Sequence, residues 1–230
     1  MDEKALFAAA CALDLDLASA QIQQFAAFEE SLYAANKSMN LTRVPREECW
    51  SRHFIDSLLF HDLIPNGSRV LDIGTGPGFP AWPLACARPD LQVVALDSSG
   101  KMLGFLKQHL LPNLKVVKGR AEELNAREEF DAVTGRAVAR LPVFMEIAAA
   151  AAKIKGVVIP MRTARDAQEI EACNFLALGL KLEKACERSL PIGGEGDEEV
   201  HRLFPLFRKF KKTPVRFPRS WAEIKRGAGT

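Results

Sequence analysis

The stretch LDIGTGPGFP (residues 71–80) breaks an apolar run with three alternate glycines and two prolines. A chain gives up side chains in this way where its backbone must approach something closely, since glycine tolerates left-handed torsions and adds no Cβ. The preceding RVLDI reads as a strand that ends at Ile73, and the glycines follow at once. In a doubly wound sheet, ligands bind beyond the carboxyl ends of the strands, where strand order reverses. Gly74, Gly76 and Gly78 are therefore candidates for a ligand cradle.

Working outward, the β-like runs RVLDI, LQVVALD, LKVVKG, FDAVTG and KGVVIP alternate with helical segments. That is the βαβ signature of a mostly parallel, twisted sheet with helices on both faces, a Rossmann-like α/β fold. LKLEKACERSL and EVHRLFPLFRKF follow a helix expected near 164–179 and predict a final antiparallel strand pair joined by PIGGEGDEE. Residues 1–65 form an expected helical cap. Ile22, Phe25, Phe28 and Leu32 recur at helical steps, and a second helix is expected from about Arg46 to Leu63. Residues 66–210 make the expected ligand-binding domain, and 211–230 a basic tail expected on the surface.

Two ligand classes use such a loop. The dinucleotide fingerprint is G-x-G-x-x-G with a pyrophosphate on the helix N-terminus; here the pattern is G-x-G-x-G, and Phe79 stands in the third glycine's place. Asp72, two residues before Gly74, would repel a diphosphate but suit a sulfonium and an α-amino group. Asp97 closes the second strand, where a carboxylate accepts hydrogen bonds from ribose hydroxyls. This combination favours S-adenosylmethionine over a nicotinamide or flavin dinucleotide, and over a purely structural turn. Ala121 and Glu122, after the third strand, are placed to frame an adenine; acids at a helix start are the plainer reading.

Charge is unevenly spread. The net +2 conceals eight Lys/Arg and one acid between Pro205 and Thr230, a balance of about +7, against about −5 elsewhere. A basic tail on a near-neutral body points to a polyanionic partner or to a solvated, solubilising surface. The cysteines Cys11, Cys49, Cys86, Cys173 and Cys186 are odd in number and unpaired by spacing, so free thiols, an intracellular setting and no zinc site are expected. No export signal and no bilayer span are expected.

The motifs NLTR (40–43), RHFIDSL (52–58), LDIGTGPGFP, LDSSGKMLGFL (96–106), GRAEE (119–123), FDAVTGRA (130–137) and KKTPVRFPR (211–219) together resemble the bacterial small-subunit (16S) ribosomal RNA guanine-N7 methyltransferases, the RsmG family. They occur in the family's order along nearly the whole chain. The resemblance implies S-adenosylmethionine contacts at Gly74, Phe79, Asp97, Ser98, Ser99, Ala121, Glu122 and Arg136. It also implies a cytoplasmic enzyme acting on ribosomal RNA within a ribonucleoprotein, expected as a monomer without metal.

Guanine N7 carries a lone pair and no proton, so its methylation needs no general base. That suits a sequence without a convincing nucleophile, His–Asp dyad or metal cluster beside the loop. His53 and Arg136 are then expected to position the target. Arg52 and His53 could both pair with Asp56 if all three lie on one helix. Asn40, Arg52, Lys101, Arg202, Lys211, Lys212, Arg216 and Arg219 are candidate RNA contacts, with Phe217 and Trp221 as stacking faces. A small-molecule or protein methyltransferase, and a non-catalytic assembly factor that binds donor and RNA, remain alternatives.

Overall fold

Period-two alternation along the central strands decides which helices cover which side of the sheet. In β1 (Arg69–Ile73), Val70 enters one hydrophobic cluster while Leu71 and Ile73 enter another. β2 (Gln92–Asp97) divides likewise, Val93 and Ala95 against Val94 and Leu96. These are the inner faces of a sheet completed by β3 (Leu114–Lys118), β4 (Phe130–Arg136), β5 (Ala152–Thr163), β6 (Leu180–Leu190) and β7 (Val200–Lys209). The strand order is β3-β2-β1-β4-β5-β7-β6. β1 to β5 are parallel, whereas β7 runs antiparallel to both β5 and β6. The α/β class and the terminal antiparallel pair are as the sequence predicts, and the order reverses between β1 and β4. The structure, a computed structural model, describes residues 1–191 and 200–227; most of the acidic glycine loop PIGGEGDEE therefore lies outside the described residues.

One face carries α1 (Glu3–Cys11), α2 (Ser19–Met39), α3 (Asp56–Leu58), α4 (Ala81–Ala87) and α5 (Gly100–Leu106). The other carries α6 (Leu141–Ala149), α7 (Ala167–Ala172) and α8 (Trp221–Gly227). Ile22, Phe25, Phe28 and Leu32 of α2 are buried, as their spacing predicts. Phe28 stacks on Trp82 with centroids 4.1 Å apart and meets Phe79 and Phe105 edge-on, so the N-terminal helices join the same core as α4 and α5. Such aromatic pairs contribute roughly 0.5–1.5 kcal/mol each beyond their area burial.

Three expectations need correction. The helix expected over 46–63 is instead a short 3₁₀ turn (Arg46–Glu48), a π-helical turn (Trp50–Ile55), the single turn α3 and a last 3₁₀ turn (His61–Leu63). This uneven winding accompanies the burial of His53, Asp56 and Ser57 among polar partners. The helix expected near 164–179 shortens to α7 between two 3₁₀ turns. The segment after Lys212 does not simply lie on the surface: Thr213 and Ile224 are buried, and Arg127 donates to the carbonyls of Thr213 and Phe217 at 2.8 Å each.

Gly135, next to last in β4, has no room for a side chain. A Cβ there would lie 2.6 Å from Phe144 Cε2 and 2.7 Å from the Ile73 carbonyl oxygen. The latter is backbone at the end of β1 and cannot rotate away. Gly135→Ala is expected to destabilise the protein by about 3 kcal/mol, the upper end of ordinary overpacking, read as a lower urea midpoint with unchanged slope.

Candidate functional site

The glycine loop leaves β1 with its backbone tied to β2: Gly74 and Thr75 N–H groups donate to the Leu96 carbonyl at 2.8 and 3.1 Å. Gly74, Gly76 and Gly78 have φ of +71°, +59° and +125°, a region that favours glycine. Asp97 fixes the neighbouring turn, accepting from Gly76 N at 2.8 Å and Ser99 N at 2.7 Å. Beside this loop opens a cavity of about 300 Å³. Gly74, Asp97 and Ser98 line one part, and Gly119 to Glu122 another. Ile73, Leu96, Val138, Ile147 and Trp221 supply apolar wall. The Glu122 carboxylate is held by Arg120.

This donor set suits a flat base, vicinal hydroxyls and a cationic centre. Gly74 is a cradle that a side chain would fill, because a Cβ there would come 2.8 Å from Val138 Cγ2. Asp97 and Glu122 offer carboxylates, and the aliphatic and indole walls offer faces for a purine. The residues present therefore fit S-adenosylmethionine. Asp72 contributes differently from the expectation. Strand alternation turns it away from Ile73's face; it is fully buried and accepts from Ala81 N, at the start of α4, at 3.1 Å.

A second cavity, about 350 Å³, opens at the carboxyl ends of β4 and β5. Arg136 and Ala137 line it, while the next two residues, Val138 and Ala139, line the first. The short segment after β4 thus stands between the two spaces, with Ala137 at a φ of +55°. Arg136 donates to Asp56 at 3.0 Å and to the Arg52 carbonyl at 3.2 Å, and its Nη2 lies 3.3 Å from His53 Nδ1. Arg202, from β7, donates to the other Asp56 oxygen at 2.6 Å. One buried carboxylate therefore clamps two guanidiniums brought from distant strands.

His53 is packed flat against Phe79, with centroids 4.1 Å apart and planes 3° from parallel. Its Nε2 meets Thr42 Oγ1 at 2.7 Å. Since Arg136 can only donate, Nδ1 must accept and Nε2 carries the proton of the neutral ring. Burial first, then the charges of Arg136 and Arg52, push the imidazole pKa down to about 3. Thr42 is in turn set by Asn36, whose side chain accepts from Leu41 and Thr42 N–H groups at 2.6 and 2.9 Å.

The candidate residues thus fall into groups. Gly74, Asp97, Ser98, Ala121 and Glu122 line the first cavity. Phe79 and Ser99 do not line it: Phe79 is buried under His53, and Ser99 caps α5 by accepting from Met102 N. Arg52, His53, Arg136 and Arg202 meet at the second cavity. The pairing of Asp56 with Arg52 and His53 is not made, because Arg52 turns back to Glu48 at 2.5 Å and Asp56 serves Arg136 and Arg202. Asn40 is exposed at the end of α2, and Lys101 is exposed on α5. β7 runs away from the site, so Lys211 and Lys212 lie at the opposite end of the sheet, Lys212 near Glu128 at 3.9 Å. Arg216 lies over the Phe217 ring, and Arg219 pairs with Glu146 at 2.6 Å. Sequence reasoning passed over Asn36, Val138 and the lining residues Arg162 and Asp166; Thr42 was inside a quoted motif but not singled out.

Residues 21–194 match the family model described as rRNA small subunit methyltransferase G. The chain belongs to the rRNA small subunit methyltransferase G family. A relative named ribosomal RNA small subunit methyltransferase G, from Lachnoclostridium phytofermentans, is 37% identical over 90% of this chain and 89% of its own. Another of that name, from an Exiguobacterium species, is 36% identical over 95% of each chain. Among solved structures, M. jannaschii TYW2 in complex with AdoMet superposes with a TM-score of 0.55 at 21% identity, covering 70% of this chain and 78% of that one. A TehB-like SAM-dependent methyltransferase from Corynebacterium glutamicum gives 0.52 at 21% identity, over 78% and 98%. These two likenesses show the fold, a Rossmann-like α/β sheet.

Proposed function

We propose that the protein transfers a methyl group from S-adenosylmethionine to N7 of a guanine in small-subunit ribosomal RNA. The observation that carries this reading is the pair of cavities divided by Arg136–Ala139: an acid-and-apolar one at the glycine loop, and an arginine-rimmed one beside it. Bound in the first cavity, the donor supplies an activated methyl on a positively charged sulfur. Asp97 would accept from its ribose hydroxyls, Ala121 and Glu122 would frame its adenine, and Gly74 would let it lie against bare main chain.

The chain's own residues then have three tasks. Arg136 and Arg202 attract the nucleotide and can donate to guanine O6; a guanidinium that also took N7 would block the reacting lone pair. Methylation moves positive charge onto the guanine, so surplus cationic charge at the site would oppose it. Asp56 offsets one of its two arginines, and His53 stays neutral, which limits that opposition. No side chain has to remove a proton, since N7 has none. Alignment of N7 with the methyl is the main contribution asked of the protein, and well-oriented intramolecular models gain about 7–11 kcal/mol from it. Arg52 is assigned to phosphates at the rim, and the exposed Asn40 and Lys101 to RNA beyond it. Lys211 and Lys212, at the far end, would touch only RNA that extends around the protein.

Incubation with methyl-labelled S-adenosylmethionine and small subunits from cells lacking the enzyme is expected to yield labelled 7-methylguanosine after nuclease digestion. Unlabelled RNA, or label on another atom, overturns the assignment.

A further inference from the structure

The basic C-terminal segment reads as an RNA-binding tail, yet it returns to the donor cavity. After β7 ends, Arg127 grips the carbonyls of Thr213 and Phe217, and the Thr213 hydroxyl donates to the Leu178 carbonyl at 2.7 Å. The chain then meets α6, where the Arg219 guanidinium and backbone N–H both donate to Glu146, a carboxylate that is itself buried. Ser220 is held by Glu223 in the first turn of α8, and Ile224 is buried in the core beneath. These anchors deliver Trp221 into the wall of the first cavity, on the side formed by Gly119 to Glu122. There the Arg120 guanidinium lies over the indole, 5.1 Å from its centroid, while its Nε donates to Glu122.

We propose that Trp221 forms a wall of the adenine-binding end of the donor cavity, so that residues 213–224 serve donor binding. This rests on the reading of that cavity as the S-adenosylmethionine site. The physical case is contact chemistry. An adenine is a flat, polarisable ring whose affinity depends on apolar faces as much as on polar edges. The loop after β3 supplies edge partners at Ala121 and Glu122, Ile147 supplies an aliphatic face, and Trp221 supplies an aromatic one. Arg120 bridges Glu122 and the indole, so the polar and aromatic partners of the base are held as one unit. Glu146 acts at a distance as a positioning residue, through Arg219.

The test is calorimetric titration of the full chain with S-adenosylhomocysteine and with 5′-methylthioadenosine, which keeps the adenine but lacks the amino acid. Trp221→Ala is expected to weaken both ligands by the same factor, about tenfold, and Trp221→Phe to recover most of that loss. Binding should also change tryptophan emission in the wild type, and this change should disappear in Trp221→Phe while binding persists. Trp221 is only half-buried, so melting of the unliganded variant should stay near that of the wild type. Unchanged affinity in Trp221→Ala with the wild type binding normally overturns the inference alone. A wild type that binds neither ligand overturns the donor reading and the inference with it.

Discussion

Replacing Asp56 with alanine should lower methyl transfer by at least 100-fold while leaving donor affinity within about twofold. The carboxylate is 2% exposed and accepts from Arg136 at 3.0 Å and Arg202 at 2.6 Å, one oxygen each. Both guanidiniums line the second cavity, and neither lines the first. Without Asp56 they repel each other and turn toward solvent, and Arg136 loses its hold beside His53. A hundredfold loss is about 2.7 kcal/mol of transition-state stabilisation, in the range of one mispositioned charged group. Stability should also fall. Breaking a buried pair costs roughly 3–5 kcal/mol, and the arginines are about one-fifth exposed, so about 3 kcal/mol is expected after solvent relieves part of the cost. Asp56→Asn keeps one acceptor and the shape, and should separate the effects: most of the fold stability retained, most of the activity lost. The relevant measurements are single-turnover rates, donor affinity and urea denaturation on the same variants. Loss of donor affinity matching the loss of rate would refute the separation of the two cavities.

That cluster lies beyond the reach of local sequence pattern. The strands, the terminal antiparallel pair and the glycine loop were legible because each is a local pattern: period-two apolar runs, punctuation by Gly and Pro, and an acid closing β2. The buried stripe of α2 was legible for the same reason. Asp56 is legible too, but helical spacing pairs it with Arg52 and His53. The actual ones come from strands β4 and β7, 80 and 146 residues further along the chain, and no local rule supplies them. Thr42 lies inside the motif NLTR, where Asn40 is the candidate RNA contact. The structure shows that Asn40 adopts the left-handed cap torsion while Thr42 meets His53. Composition shows Trp221 only as an aromatic among basic residues, because nothing local shows that Glu146 and Arg127 draw the segment back along α6. Leu71 and Ile73 share a face with the glycine-loop cavity, so period-two alternation alone sends Asp72 to the other one.

The orientation of Asp72 carries its own expected result: Asp72→Asn should stabilise the protein at pH 8 by about 2–4 kcal/mol. The carboxyl is wholly buried. Its Oδ2 accepts from Ala81 N, but Oδ1 has no hydrogen-bond partner. Burial, only partly offset by Thr75, the Ala81 N–H and the charge of Arg136, pushes the carboxyl pKa from 3.8 up to about 7. In the unfolded chain the group returns to its ordinary value. A raised native pKa means that the folded state binds the extra proton, so this contribution to stability is fully present below about pH 4 and is lost as pH rises through about 7. The three-unit difference corresponds to about 4 kcal/mol, an upper bound for the ionised group above pH 7. Asparagine retains an acceptor for Ala81 N and carries no charge to desolvate. The advantage of the variant should therefore be absent near pH 3.5, widen between pH 4 and 7, and level off above that. Urea midpoints measured across this range check the shape as well as the size. Parallel stability profiles for the two proteins would mean that Asp72 is already ionised and compensated in the folded state, which would require a partner for Oδ1 that the packing around it does not supply.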